Sequence, residues 1–350
     1  YNAFYGTTAL DSAVIKNKGY IEVSAFEDSD VKYLKILNED NIRDGAFYNC
    51  KSLRTLSIAN NGNIGSSVFC NTTSLDSAYI ANKGYVGASA FENSGVKVAM
   101  VQNKGGIYDS AFKNCKKLVD VSLGDSITTL GNSVFCSCTS LPKVVIPDSI
   151  SAMGENIFQD CKALTSVKIG TGIQEIKTYA FSGGSSLPEI EIPQNVKSIG
   201  NYTFSGCTSL TDVIFADRKT ALTLGSNGAD AMFKDCPLDS VYIGGKLKYN
   251  TAESYGYSPF YRNTSLRTVV ITNEEETVYD NEFYGCTGLK SVSIGNGTTS
   301  IGNWAFSNCQ NLEYFAFGQK MATIGREAFS DCIGVTKIIS PSCMWRTGSG

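Results

Sequence analysis

The amino-acid sequence predicts a repeat solenoid in which every coil adds one short strand to a parallel sheet. Three observations predict this fold: a phenylalanine that recurs fifteen times, apolar residues at fixed distances from it, and a block of sequence that occurs twice. One unit of this length cannot bury its apolar face alone, whereas stacked units bury it against each other. We therefore interpret residues 1–340 as a single solenoid and residues 341–350 as a tail.

The recurring phenylalanine sets the length of the coils. Consecutive copies are 21 to 29 residues apart, and 23 is the commonest interval, which gives about fifteen coils. We expect the ring to occupy the same core position in each coil. This predicted structural ladder includes Phe47, Phe112, Phe158, Phe204, Phe306 and Phe329.

Two periods alternate within each coil. Positions nine and eleven after the phenylalanine are mostly Val, Ile or Leu, as in Leu56 and Ile58, and this period of two predicts a strand with one buried face. Around the phenylalanine the spacing is three to four residues, as in Ala305, Phe306 and Cys309. This second pattern predicts short helical turns or irregular segments opposite the sheet.

Nine of the twelve cysteines lie three residues after the phenylalanine. Other coils carry Thr, Ser, Gly or Asn there, so small size is the shared property and free cysteine serves as a small buried hydrophobe. The predicted ladder positions of this kind are Cys50, Cys115, Cys161, Cys207 and Cys309. Cys70, Cys136 and Cys343 lie elsewhere and are expected to be the more reactive thiols. Pairing between stacked cysteines stays open.

A larger repeat covers the first third of the chain. Residues 4–58 align without gaps on residues 69–123, an offset of three coils. Because a catalytic site needs a unique constellation, duplication of a whole block favours a surface built by repetition. The solenoid therefore divides into the duplicated blocks 1–65 and 66–130 and the more regular 23-residue coils of 131–340, with insertions near 216–230 and 244–258.

Composition excludes several function classes. The chain has no histidine, which excludes Ser-His-Asp and Cys-His catalysis and every His-ligated metal site. Thirty basic and 33 acidic residues without a block of like charge argue against nucleic-acid binding. No apolar run is long enough to insert into a membrane, and no phosphate-binding loop or calcium-binding loop is present. We expect a protein that is not an enzyme and has no cofactor.

The later coils carry a specific motif. The segments VKSIGNYTFSGCTSLTDVIF, TTSIGNWAFSNCQNLEYFAF and MATIGREAFSDCIGVTKI share the pattern I-G-x-x-A-F-x-x-C-x-x-L-x-x-V-x-I. This pattern resembles the BspA-like leucine-rich repeat of bacterial cell-surface proteins. The resemblance implies a leucine-rich-repeat solenoid that is secreted or displayed on a cell, with adhesion or protein binding as its role. No signal peptide is visible and the chain opens inside a coil, so we expect a shortened chain.

The outward side of the predicted sheet is the candidate partner-binding face. If positions nine and eleven point inward, positions eight and ten point outward, and aromatic and aliphatic residues there are typical of protein interfaces. The candidates are Tyr33, Tyr79, Met100, Val145, Ile214, Tyr242, Val270 and Tyr314. The alternative is that such residues simply favour strands. We expect a protein ligand, such as a host or extracellular-matrix protein, with a glycan as the second class.

Two other functions compete with the binding scaffold. One is a carbohydrate-active or glycan-binding protein that uses carboxylates and aromatic residues of a concave face, and the other is a structural spacer that presents another module. Glu189 and Glu191 share one face of a predicted strand, and residues 274–276 form an acidic run. We interpret both as solvated surface charge rather than as a general acid and base.

Overall fold

The computed structural model describes residues 1–225, 232–249 and 258–340. The chain divides into two compact units, Tyr1–Ser186 and Leu187–Gly350. Each unit is built from coils that contribute parallel strands, so the predicted parallel-strand solenoid is confirmed. The assignment of residues 1–340 to one solenoid stays a prediction, and the predicted tail lies outside the described residues.

The first unit contains eleven strands. They are β1 (Ser12–Asn17), β2 (Tyr33–Asn38), β3 (Thr55–Asn60), β4 (Ser77–Asn82), β5 (Val98–Val101), β6 (Asp120–Leu123), β7 (Thr129–Leu130), β8 (Lys143–Val145), β9 (Ala152–Met153), β10 (Ser166–Lys168) and β11 (Glu175–Ile176). Strands β1 to β6 form one parallel sheet in chain order, β8 pairs with β10, and β7 pairs with β9.

The second unit continues the numbering. Its described strands are β12 (Glu189–Ile192), β13 (Ser198–Ile199), β14 (Asp212–Phe215), β15 (Leu222–Leu224), β16 (Ser240–Ile243), β17 (Leu247–Lys248), β18 (Thr268–Ile271), β19 (Thr277–Val278), β20 (Ser291–Ile294), β21 (Ser300–Ile301), β22 (Tyr314–Ala316), β23 (Thr323–Ile324) and β24 (Lys337–Ile339). The even-numbered strands form one seven-stranded parallel sheet. The shorter odd-numbered strands form separate rows, β13 to β17 and β19 to β23.

The phenylalanine rings stack along the inside of each unit. Nine rings from Phe4 to Phe181 have successive centroids 4.7 to 5.6 Å apart. Six rings from Phe204 to Phe329 have successive centroids 5.2 to 5.9 Å apart. Of the predicted ladder, Phe329 is half-buried. The fully buried members are Phe47, Phe112, Phe158, Phe204 and Phe306.

The backbone N–H groups of ladder phenylalanines such as Phe26 and Phe47 bond to the next coil. Adjacent N–H groups close tight turns to the carbonyl three residues earlier, as that of Ala25 does with Glu22 at 3.2 Å. The N–H of Phe26 donates to the carbonyl of Ala46 at 2.7 Å, and the N–H of Phe47 donates to the carbonyl of Val68 at 3.0 Å. A helix would direct these donors to carbonyls four residues earlier in the same segment. The turn side therefore has the same cross-coil hydrogen bonding as the strand side.

Left-handed backbone at two fixed positions prevents a helix on the turn side. In the first unit, the residues two before and two after every ladder phenylalanine have positive φ, for example Ser24 (54°) and Asp28 (58°) around Phe26. Helical residues need φ near −60°. No helix occurs in the described ranges, so the helical alternative is wrong and the irregular one describes the coils. Asn, Asp and Gly tolerate this backbone best, as Asn49 and Asn114 illustrate.

We predict that truncating one ladder ring destabilises the whole first unit. The ring of Phe112 lies 5.0 Å from that of Phe91 and 5.6 Å from that of Phe135. Phe112→Ala removes both stacking contacts and leaves a cavity, so the free energy of unfolding in urea should fall by about 3–5 kcal/mol. Tyr33→Ala, at an exposed strand position, should change it by less than about 0.5 kcal/mol. Equal effects of the two substitutions would contradict the ladder.

Candidate functional site

The outward side chains of β1 to β6, β8 and β10 form a surface that we call the first strand face. Alternation along each strand places one set of side chains in the core and the other set in solvent. Four of the predicted candidates lie here and are well exposed. They are Tyr33 (50%), Tyr79 (45%), Met100 (45%) and Val145 (56%).

The exposed apolar residues of this face adjoin one another across strands. Tyr79 of β4 is the register partner of Met100 of β5, and Val98 precedes Met100 by two residues on the same side of β5. Val98 is also exposed, at 37%. Because partners in neighbouring strands lie about 4.8 Å apart, these three side chains form one continuous apolar patch.

The second strand face consists of the outward side chains of β12, β14, β16, β18, β20, β22 and β24. Among the predicted candidates, Ile214 is exposed, whereas Tyr242, Val270 and Tyr314 are half-buried. The Tyr242 hydroxyl donates to the carboxylate of Asp217 at 2.8 Å, a bond that ties the side chain down. Tyr242, Val270 and Tyr314 are therefore less available to a partner than the candidates of the first strand face.

The described part of the first insertion is fixed by a buried arginine. The Arg218 guanidinium donates to the carbonyls of Ile192 at 2.8 Å and Val196 at 2.9 Å, and burial lowers the pKa of Arg218. These bonds hold the start of the insertion against the preceding coil. Residues 226–230 of the first predicted insertion and residues 250–257 of the second lie outside the described residues.

Of the candidate carboxylates, four are exposed and one is buried. Glu189 and Glu191 both point outward from β12 into solvent. Glu275 is buried, so the interpretation of the whole run 274–276 as solvated charge is wrong at that residue. Its carboxylate accepts the N–H of Leu247 at 2.7 Å, and burial raises its pKa to about 7.

Glu282 is a second buried acid, which the sequence pattern did not reveal. It occupies the core position directly before the ladder phenylalanine, where most coils carry an apolar residue. Burial, reinforced by the nearby Glu275, raises the pKa of Glu282 to about 8. The phenol of Tyr249 lies against this pair, and its pKa is also raised by burial. Because both carboxylates are buried, they face no surface from which a substrate could approach.

The cysteine position three residues after the phenylalanine holds a hydrogen-bond donor as well as a small group. The Cys50 thiol donates to the Phe26 carbonyl at 3.1 Å, and the Cys115 thiol donates to the Phe91 carbonyl at 3.1 Å. Each bond reaches into the preceding coil. Thr72 at the same position also donates a hydrogen bond, but to the carbonyl of Phe69 in its own coil at 2.8 Å. The thiols of Cys161 and Cys309 make bonds equivalent to that of Cys50, and Cys207 is fully buried.

The expectation of reactive thiols at Cys70 and Cys136 is not met. Both are buried, at 7% and 8% exposure, and burial raises the pKa of Cys70 to about 11. Cys332 is the half-buried cysteine, and hydrogen bonding with Cys309 lowers its pKa. Cys343 lies outside the described residues. In the described ranges, no group of three or more Cys, Asp or Glu side chains could hold a metal ion.

The repeat motif identifies the family. The BspA type leucine-rich repeat region matches residues 1–104, 105–237 and 254–349, in six copies. The chain belongs to this family. Membership confirms the resemblance carried by the I-G-x-x-A-F motif and is consistent with a protein-binding scaffold. No curated protein matches the sequence.

Several solved leucine-rich-repeat structures are similar to this BspA-type chain. A leucine-rich cell-surface protein from Faecalibacterium prausnitzii is 23% identical, with a TM-score of 0.45 over 82% of this chain and 87% of that one. A leucine-rich repeat protein from Bacteroides ovatus is 20% identical, with a TM-score of 0.47 over 92% and 86%. The pneumococcal vaccine antigen PcpA is 14% identical, with a TM-score of 0.36 over 91% and 92%. At these identities the similarity concerns the fold alone.

The secondary structure also bears on membrane association. None of the described residues forms a helix that is both long and apolar enough to cross a lipid bilayer.

We predict that the buried acids make this BspA-type repeat less stable as pH rises. Folded Glu282 keeps its proton up to about pH 8, whereas the unfolded residue loses it near 4.5. The folded state therefore binds more protons between these values, and its stability falls as pH rises through them. Between pH 4.5 and pH 8.5, the free energy of unfolding of the wild type should fall by about 3–5 kcal/mol more than that of the Glu282→Gln variant.

Urea unfolding of both proteins at the two pH values measures this effect. The variant should keep the smaller pH dependence that Glu275 contributes, because the pKa of Glu275 is raised to about 7. Parallel pH profiles for the wild type and the variant would show that Glu282 is ionised in the folded protein.

We predict that Cys70 resists alkylation in the folded protein. At pH 8 its raised pKa and its burial leave almost no accessible thiolate, and the thiolate is the reacting species. Iodoacetamide labelling followed by peptide mapping should find Cys332 modified and Cys70 unmodified. Both should react in concentrated urea, which serves as the control. Rapid labelling of Cys70 without urea would contradict the structure.

Proposed function

We propose that this chain is a non-enzymatic binding scaffold that engages a protein ligand through the first strand face. The observation that carries the proposal is the continuous exposed patch formed by Tyr79, Val98 and Met100. Contiguous apolar surface on a soluble protein is a typical mark of an interaction site. Tyr and Met are also among the residue types enriched at protein interfaces.

The rigidity of the face supports the same role. Each outward residue of β1 to β6 sits on a strand whose inward neighbours are buried in the core. A ligand that contacts Tyr79 and Met100 therefore meets side chains whose backbone is already ordered. Ordering of a flexible surface costs binding energy, and a fixed surface avoids that cost.

The carbohydrate-active alternative has weaker support. Glycosidic bond cleavage needs two accessible carboxyl groups in environments that push their pKa values apart. The acids with raised pKa, Glu275 and Glu282, are buried, and the exposed Glu189 and Glu191 lie two residues apart on one strand. A structural spacer does not require exposed apolar residues, so the spacer alternative does not explain the apolar patch.

We further propose that the protein acts outside the cell, as an adhesin on the cell surface or in secreted form. This location is the one typical of BspA-type leucine-rich repeats. Host or extracellular-matrix proteins are then the ligand class to which the first strand face would be exposed, and a glycan is the second class.

We predict that removing the apolar patch weakens binding to a matrix protein. Immobilised fibronectin, laminin and fibrinogen serve as probes, and surface plasmon resonance gives the affinity. Tyr79→Ser combined with Met100→Ser should weaken binding by more than about tenfold, because central aromatic and apolar contacts dominate interface energies.

Tyr108→Ser is the matched control, since Tyr108 is also 45% exposed but lies outside the strands. It should leave the affinity within about twofold of the wild type. Undiminished binding by the double variant would assign the ligand to a different surface of the protein.

A further inference from the structure

The charges on the first strand face are mostly positive. Four lysines point outward from its strands into solvent, and one acid does so. The lysines are Lys16, Lys35, Lys143 and Lys168, and the acid is Asp120. The unit as a whole has no such excess, because Tyr1–Ser186 contains 17 basic and 17 acidic residues. Positive charge is therefore concentrated on this face relative to the rest of the unit.

The second strand face has the opposite sign. Glu189, Glu191 and Asp212 lie on its outward positions, against the single cation Lys337. The two faces share the same coil architecture and the same strand positions. The difference in sign therefore comes from the residues themselves and not from a requirement of the fold.

The lysines of the first strand face are free to meet a ligand. In the described part of the chain, neither Lys35 nor Lys143 lies within salt-bridge distance of a carboxylate, whereas Lys32 and Lys97 at the margin of the strands do pair with acids. An exposed lysine without a partner keeps its charge available for an incoming anion.

The arrangement along the stack is cationic, then apolar, then cationic. Lys35 on β2 precedes the patch of Tyr79 and Met100, and Lys143 on β8 follows it. Five coils separate the two lysines, which corresponds to about 24 Å at the usual spacing between strands. An extended peptide covers that distance with about seven residues.

We propose that the first strand face binds an extended acidic peptide segment of a partner protein, with aromatic or aliphatic residues at its centre and carboxylates toward both ends. This inference rests on the proposed function and adds the chemical class of the ligand. The terminal carboxylates pair with Lys35 and Lys143, and the central side chains cover Tyr79, Val98 and Met100. A nucleic acid fits less well, because four lysines spread over eight coils neutralise few phosphates.

Asp120 opposes this ligand. It occupies the outward position of β6 that corresponds to Val98 on β5, one coil before Lys143. Its carboxylate repels an acidic end that approaches Lys143. Removal of this charge should therefore tighten binding, an effect that a purely structural role for Asp120 would not produce.

Three labelled ten-residue peptides test the proposal by fluorescence anisotropy against the whole chain. The first has Glu and Asp at both ends and Leu-Tyr-Leu at the centre, the second replaces the acids by Lys, and the third replaces the centre by Ser. Only the first should bind, and Lys35→Glu with Lys143→Glu should weaken it by about tenfold. Asp120→Asn should strengthen binding by about twofold or more.

Lys51→Glu with Lys162→Glu is the matched control, because it changes the net charge equally at exposed positions of the turn segments. This control should leave the affinity within about twofold. Equal binding of the Lys-ended or Ser-centred peptide would overturn the proposal, as would displacement of the first peptide by oligothymidine or a heparin fragment.

The two proposals fail in distinguishable ways. If the Tyr79 and Met100 double variant loses matrix-protein binding while the acidic peptide does not bind, the acidic ligand is wrong and the binding face stands. If the double variant keeps its matrix-protein binding and the acidic peptide does not bind, both proposals are wrong. If the acidic peptide binds the wild type, and binding is lost in the Lys35→Glu, Lys143→Glu variant and in the Tyr79→Ser, Met100→Ser variant, both proposals are supported.

Discussion

Hydrogen bonding from each coil to the next is the constraint on which the rest of the structure depends. It operates on the strands and also at the turns, where the N–H of Phe26 reaches the carbonyl of Ala46. Because both sides are bonded in register, each side chain lies beside its counterpart in the neighbouring coil. That register stacks the phenylalanine rings, places the cysteine thiols near the preceding carbonyl, and aligns the outward residues in rows.

Much of this arrangement could be predicted from the sequence, because it depends on spacing. The period of two predicts the strands, and the recurrence of phenylalanine predicts a common core position. The turn side was harder, since a spacing of three to four residues fits a helix and a stack of tight turns equally. The distinguishing signal was present in Asn49, Asn71 and Asn114, two residues after their phenylalanines, where left-handed backbone favours Asn, Asp or Gly.

The sequence was sufficient to predict which surface carries the candidate site, but not which of its residues are accessible to a partner. The period of two correctly directs both Tyr79 and Tyr242 outward from their strands. Only the structure shows that Tyr242 bonds to Asp217, a residue 25 positions away along the chain. The burial of Glu275 and Glu282 has a similar origin, since it depends on how one irregular coil packs against the next.

The left-handed positions have a consequence for how such a protein diversifies. On the turn side, a new residue must fit a buried position and, at the left-handed positions, also adopt a positive φ, which is energetically unfavourable for most residue types. An outward strand position has neither requirement and asks only for compatibility with extended backbone. Variation in a lineage of these arrays can therefore accumulate on the strand side, where recognition would change while the scaffold persists. The two strand faces of this chain, which differ in the sign of their charge, illustrate how much the outward residues can vary on one architecture.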